Sequence, residues 1–532
     1  MSGKTQPHAD IYLNKAVKDD LSWLSSSIAD LGETTNFNQN STLNAALLRP
    51  SSTAANQHPL PTIYQSASDD WDLDEPFTVN TTVNFVFATA SSLLQAAPNL
   101  RYRNGHTIVP GIVRPGTLLY HGRGDSSIPV TEWVAFDPEI SRGFCRIFTP
   151  SGGGCWHHTF AVARPLRVLY FDGASAAKLG SGEMDTQDII TWGEIRPDRV
   201  REEGLRIQRL CEWGKPLGLD GFVRISALSE MMLCNFSSVN LVSSQHLKSA
   251  PMKTLLPELS PSLIVVPAKP VPINSEGIVF LRVLHRFSQY PGVMHVQLDL
   301  SRLVSFYDEK LAPSLVAVRS DRPRLEHRLL GITEEDLMRA KKHLEKQVME
   351  TRWSSLEGVG NHLDWPTHLH SIVELYGETF EDIWNLVNST GSIAARPATQ
   401  RVKDSEQLLR DAVEGTTREI CRVLTKMWAY GVHDGLSEMF DDKVASEHPH
   451  EDSKKADALL DTWKVDLGSL MKWLDWGVWL RCRPACKEQE QCYIPAWPFV
   501  VGNMSGTVWR EDNPQPRCLK KLEPFTYADD EQ

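Results

Sequence analysis

The feature that most constrains this chain is a train of short apolar runs between residues 105 and 247, each closed by turn residues. "TLLYH" (117–121), "EWVAF" (132–136), "HTFAVA" (158–163), "LRVLYF" (166–171), "GFVRI" (221–225), "MMLCNF" (231–236) and "VNLVSS" (239–244) are long enough for strands and too short for stable helices. One stretch breaks the pattern. "PDRVREEGLRIQRLCEWGKPLG" (197–218) carries Val200, Leu205, Ile207, Leu210 and Trp213 as the apolar set of a helix. Strands with a helix between them predict an α+β domain over 76–250 with a mixed or antiparallel sheet. The runs at 117–121, 132–136, 221–225 and 231–236 are expected to share one core.

A chain of 532 residues exceeds one such core. Residues 1–75 are polar and rich in Ser, Asn and Thr, which predicts a largely disordered arm. A helix is expected over 77–100, stopped by Pro98. The Pro-rich stretch 251–272 reads as a linker opening a small α+β unit over 251–350. That unit has strands at "GIVFLRVLHRF" and "VMHVQLDL", then a helix whose capping box is Thr333 with Asp336. Residues 351–460 read as helical. Pro366 sits in a first turn, and Leu369, Ile372, Val373, Tyr376, Phe380, Ile383, Trp384 and Val387 form one stripe. Residues 442–458 are charged and read as a loop. The segment 461–532 is dense in Trp and Cys, and Trp473, Trp476 and Trp479 are spaced as a helical stripe.

Composition narrows the function classes. A net charge of −12 excludes general nucleic-acid binding, which needs a basic face. No apolar run is long enough for a transmembrane segment. The first residues hold no apolar leader, so a cytoplasmic protein is expected. In that compartment the nine cysteines are expected as unbridged, mostly buried thiols, and the sequons at Asn40, Asn80, Asn235, Asn388 and Asn503 as chance matches. Cys482, Cys486, Cys492 and Cys518 could form a zinc site, but the tight CxxC knuckles are absent, and disulfides among them would require an oxidising compartment. His157 and His158 in "CWHHTF" point to opposite faces of a strand and cannot share an ion. No metal is expected. "TPSGGGC" (149–155) lacks the Lys-Ser/Thr of a phosphate loop and reads as a flexible turn.

Chemistry-bearing residues recur at strand ends. "LLYHGR" ends on His121 and Arg123. "EWVAFDPEISRGFC" runs from Trp133 and Phe136 into a helix start with Ser141 behind it. "SEMMLCNF" opens on Glu230. This order resembles the ADP-ribosyltransferase superfamily over about a quarter of the chain. The resemblance implies an ADP-ribosyltransferase-like fold and NAD as substrate, transferred to a protein or small-molecule acceptor or hydrolysed. Breaking the nicotinamide–ribose bond passes through an oxocarbenium-like transition state. Glu230 would stabilise that charge and His121 would orient the second ribose. Tyr120, Trp133 or Phe136 would stack on nicotinamide, with Ser141 behind the second strand, and Arg123 would pair with pyrophosphate. Leu228 stands where arginine-modifying members carry a second Glu, and Phe136 replaces a Tyr. The runs "GTLLYHG", "RPLRVLYFDG" and "LMKWLDWGVWLRCRPAC" also resemble uncharacterised fungal proteins, a resemblance that implies no activity. The rival expectation is a non-enzymatic scaffold whose helical, Trp-rich C-terminal half docks a protein partner.

Overall fold

The computed structural model describes residues 82–141, 155–178, 180–225, 229–247, 295–320, 322–356, 364–388, 415–426, 449–494 and 515–520. These all fall in one compact unit, Trp71–Gln532. The expected N-terminal arm, the linker at 251–272, the strand at 277–287 and most of the turn at 149–155 lie outside the described residues.

Two short helices come first, α1 (Val83–Ser91) and α2 (Ala96–Arg101). The single helix expected over 77–100 is therefore broken. Leu94 takes a left-handed φ of 63° between the two, and Pro98 sits inside the first turn of α2 instead of ending a helix. Proline is tolerated there because first-turn N–H groups have no helical partner.

Ten strands then build one mixed sheet among the described residues. They are β1 (Thr107–Val113), β2 (Leu118–Arg123), β3 (Glu132–Ala135), β4 (Cys155–Val162), β5 (Leu166–Phe171), β6 (Gly221–Ile225), β7 (Ser229–Leu233), β8 (Val239–Leu247), β9 (Val296–Leu298) and β10 (Val304–Ser305). The order is β10-β1-β5-β6-β7-β3-β2-β4-β8, with β9 also on β1. The four runs expected to share a core do so, as the contiguous block β6-β7-β3-β2. Every pairing is antiparallel except β5 with β6. A parallel pair requires a crossover. Here the crossover carries α3 (Asp185–Thr191) and α4 (Glu203–Gly214), the latter lying inside the helix expected at 197–218.

Strand β1 was not legible in the sequence because Pro110 and Gly111 at its centre read as a turn. Its partners explain both residues. The β10 ladder reaches Ile108 and the β9 ladder begins at Gly111, so Pro110 falls in the gap between them. At Gly111 a Cβ would lie 2.6 Å from the Gln297 carbonyl oxygen, closer than packed atoms allow.

Side-chain alternation feeds two cores. Val109, Val113, Leu119, Val134, Val168, Tyr170, Val223, Met231 and Leu233 face one of them. It is closed by α1, α8 (Trp365–Asn388), the helix α9 at 415–426, and α10 (Pro449–Leu474). Ile108, Leu169, Phe171, Phe222 and Met232 face the other, closed by α3, α4, α5 (Ser314–Arg319) and α6 (Glu334–Glu350). A four-residue helix, α7 (Trp353–Leu356), follows α6. At the start of α6, Thr333 Oγ1 accepts from the Asp336 N–H, but the Asp336 carboxylate binds the Ser314 N–H and not back to Thr333. The α8 stripe packs as its spacing requires, with Leu369 and Phe380 fully buried.

Three expectations need correction. Residues 449–458, read as loop for their charge, are the first turns of α10. The Trp stripe does not lie on one helix, because α10 ends at Leu474 and Asp475 is left-handed at φ 48°. Trp476 and Trp479 then stack on each other at 5.5 Å in a 3-10 turn. The cysteines are bridged. Cys211–Cys234 ties α4 to the end of β7, and Cys482–Cys492 and Cys486–Cys518 clasp the hairpin of β11 (Glu490–Tyr493) and β12 (Arg517–Lys520). Cys155 is also disulfide-bonded, and Cys421 is the free cysteine among the described residues.

Gly111→Ala should force β1 and β9 apart. The expected cost is about 1–3 kcal/mol, the usual penalty of overpacking. Urea unfolding reads it, and an unchanged midpoint would refute the close approach.

Candidate functional site

The sheet register sorts the expected site residues. Tyr120 pairs with Ala135, and Ala135 pairs with Glu230. Directly opposed residues share a face, so Tyr120, Trp133 and Glu230 point toward α4. His121 and Arg123, one residue out of step with Tyr120, point toward α8. Phe136 packs with the α8-side core. The seven residues therefore do not converge. The intended partners His121 and Glu230 stand on opposite faces of the sheet.

On the α8 side His121 is 2% exposed and wedged against Phe236, with ring centroids 5.8 Å apart. Its Nδ1 donates to the Trp133 carbonyl at 2.7 Å, and its Nε2 lies 3.3 Å from the Glu132 carboxylate. Arg123 is committed to Asp125 at 2.9 Å and to Glu132 at 3.4 Å. His158 stacks near His121, and burial first, then the charge of His121, lowers its pKa. His121 and Arg123 thus both turn to Glu132.

On the α4 side Glu230 accepts a 2.7 Å hydrogen bond from Arg224 Nε. Arg224 is fully buried and also holds Glu203 of α4. Burial would raise the Glu203 carboxyl, but Arg224, then Lys178 and Arg206, hold it down at about 2. Arg206, itself fully buried, reaches Asp188 at 2.7 Å. This is a buried ion network fastening α3 and α4 to the sheet. A carboxylate neutralised in this way is poorly placed to meet a developing cation.

Sequence reasoning weighed His157 only as a metal ligand and did not place it beside Tyr120. It shares the Tyr120 face, stacks on that ring at 5.9 Å, and its Nε2 is 2.7 Å from Ser141 Oγ. Ser141 is fully buried and also donates to the Pro138 carbonyl at 2.9 Å. Alternation along "CWHHTF" was the signal that could have joined His157 to Tyr120. The Cys482, Cys486 and Cys492 sulfurs lie within 4.8 Å of one another. All three are in disulfides, and a disulfide sulfur is not the thiolate a metal needs.

Two concavities among the described residues lie apart from these groups. The first is a polar cavity of about 10 Å³ lined by Asn99, Tyr102, Asn104, His106, Asp172 and Arg324 among others. That volume holds one water at most. Asp172 follows β5, and its Oδ1 accepts from the His106 and Thr107 N–H groups at 2.8 and 2.7 Å. Burial pushes its carboxyl up to about 7 despite those bonds. Gly173 beside it is left-handed at φ 69°, and a Cβ there would lie 2.5 Å from the Arg103 carbonyl oxygen. The cluster is a clamp on the chain entering β1.

The second is a groove of about 460 Å³, within the range of small-ligand sites. Its walls are Ser91, Ser92 and Gln95 from the α1–α2 turn, His370, Val373, Glu374 and Glu378 from α8, and Trp476, Val478 and Arg481 from the C-terminal turn. His370, Glu374 and Glu378 recur at four-residue spacing and so share one face of α8. The C-terminal turn is pinned by Trp479 Nε1 donating to the Gly377 carbonyl at 2.8 Å, and by Arg481 bonding Glu378 and Glu381. Trp476 is 3% exposed, and its Nε1 donor has no hydrogen-bond partner among the described residues.

A domain family described as the YPL277C N-terminal domain matches residues 155–284. The chain is 32% identical over 202 residues to the uncharacterized protein YOR389W of Saccharomyces cerevisiae, a match covering 29% of this chain and 32% of that one. It is 32% identical over 203 residues to the uncharacterized protein YPL277C of the same yeast, covering 29% of this chain and 41% of that one. The chain thus spans about a third to two fifths of these fungal relatives. No solved structure matches. The family match covers β4 to β8 and reaches neither α8 nor the Trp-rich turn, so the groove lies outside it. No helix among the described residues is long and apolar enough to cross a membrane.

The clamp generates a pH prediction. Between pH 4 and 7 the folded chain keeps a proton on Asp172 that the unfolded chain has released, so this group makes stability fall as pH rises. His327 opposes it, because burial lowers its pKa to about 4, and its contribution rises over pH 4 to 6.5. Asp172→Asn keeps the acceptor and removes only the first effect. Its stability relative to the parent should rise across pH 4–7 by on the order of 4 kcal/mol at most. Urea titrations at each pH read this, and a constant difference would refute it.

Proposed function

We propose that this protein acts by binding, and that the groove between α8 and the Trp476–Arg481 turn takes an extended segment of a protein partner. The observation that carries the reading is a groove of 460 Å³ whose α8 wall presents two exposed carboxylates. Glu374 and Glu378 are exposed carboxylates, and Glu374 makes no ion pair among the described residues. An extended peptide presents backbone N–H groups along its length, which suit carboxylates lining a groove. Val373 and Val478 add apolar surface for its side chains. This reading sharpens the scaffold expectation. The ADP-ribosyltransferase expectation has weaker support, since its two central residues are divided by the sheet.

A displayed random-peptide library panned against the full chain tests the proposal. Enriched peptides should bind with a change in Trp fluorescence and weaken on the order of tenfold with Glu374→Lys, the loss of one charge-assisted bond. Peptides that bind both proteins equally, or no enrichment, would refute the groove. Nicotinamide release from NAD that is lost on Glu230→Gln would restore the transferase reading in its place.

A further inference from the structure

The disulfides and one sequon point to the same environment. Among the described residues Cys211, Cys234, Cys482, Cys486, Cys492 and Cys518 pair with one another, Cys155 is bridged, and only Cys421 is free. Disulfides of this density form and persist in oxidising compartments and are rare in the cytosol. Secretory compartments also glycosylate Asn-X-Ser/Thr. The sequence has five such sites. Asn40, Asn80 and Asn503 lie outside the described residues, and the side chain of Asn388 is not described. Asn235, in Asn-Phe-Ser, can be judged.

Asn235 directly follows the bridged Cys234 and is exposed, as is Ser237. Between them Phe236 is 5% exposed and anchored on His121 and Phe160, which fixes the turn outward. The Asn235 Oδ1 accepts from the Ser237 N–H at 2.9 Å and caps a 3-10 turn. That leaves the Nδ2 amide without a hydrogen bond to any described residue. A glycan joins through Nδ2, so the folded cap survives the modification and the sugar projects into solvent.

We infer that Asn235 is an N-glycosylation site on a chain that folds in an oxidising secretory compartment. The donor class is a polyisoprenyl-pyrophosphate-linked oligosaccharide, and the cell's transferase catalyses the step. The Asn235 Nδ2–C1 bond forms as the C1–oxygen bond to pyrophosphate breaks. The amide proton passes to a base of the transferase, and the lipid pyrophosphate leaves with the bonding electrons. The buried apolar X residue is no obstacle, because transfer precedes folding, and the folded chain needs only the exposed amide.

The test uses the full chain made from its own gene in a fungal host. Peptide-N-glycosidase treatment should convert Asn235 to Asp in the peptide containing Cys234 and sharpen the protein to a faster band. Asn235→Gln and Ser237→Ala should each abolish the conversion, and Ser237→Thr should keep it. The Ser237 variants leave the Asn235 cap in place, so they separate lost modification from lost folding. Thiol titration of the denatured, unreduced chain should find one thiol. A folded, disulfide-bonded chain whose Asn235 is unmodified would overturn the site, and nine titratable thiols would overturn the compartment.

Discussion

The structure depends on the burial of the central strands on both faces. Every residue of β1 and of β6 is buried. A strand in that position cannot be half solvated, so each side of the sheet must be covered by helices. The parallel β5–β6 pair meets the requirement on one side, because its crossover must travel through α3 and α4. On the other side no parallel pair among the described strands requires a crossover. It is closed by segments distant in sequence, α1 before the sheet and α8 to α10 after it.

Polar residues on doubly covered strands have few options. Arg224 on β6 is fully buried and stable only because Glu203 and Glu230 reach it from α4 and β7. Removing one member of such a set leaves an uncompensated charge, which is worth more than the set contributes when intact. His121 meets the same requirement on the other face through the Trp133 carbonyl and Glu132. Glu230 and His121, the two residues that look most catalytic in the sequence, are thus both held beside charged neighbours. The groove escapes this because it sits where the covering helices meet the C-terminal turn. There Glu374 keeps an exposed carboxylate with no ion pair among the described residues.

The cysteines connect local geometry to environment. Cys211–Cys234 joins α4 to the end of β7 across the same interface that Arg224 fastens, so a covalent tie and an ionic one secure one helix. The two C-terminal bridges close loops of 10 and 32 residues of separation around a small hairpin with little core of its own. Short apolar-poor segments commonly rely on such staples. The family model matches residues 155–284, which hold β4 to β8 with α3 and α4 and not the hairpin.

Local elements were legible wherever period and punctuation agree. The runs at 166–171 and 221–225 are strands at the expected limits, the stripe from Leu369 to Trp384 faces a core, and Thr333 caps its helix. These follow from neighbours a few residues apart. Tertiary structure alone decided the rest. Pro110 and Gly111 sit in a strand because a gap and a close carbonyl await them in β9 and β10, more than 180 residues later. Tyr120 and His121 differ by one residue and so by a whole face, and only the register through Ala135 shows that Glu230 belongs with the first. The cysteine pairs depend on which strand ends and helix faces meet, which spacing does not encode. In each case the deciding contact is long-range, and its partner is fixed only when both cores close.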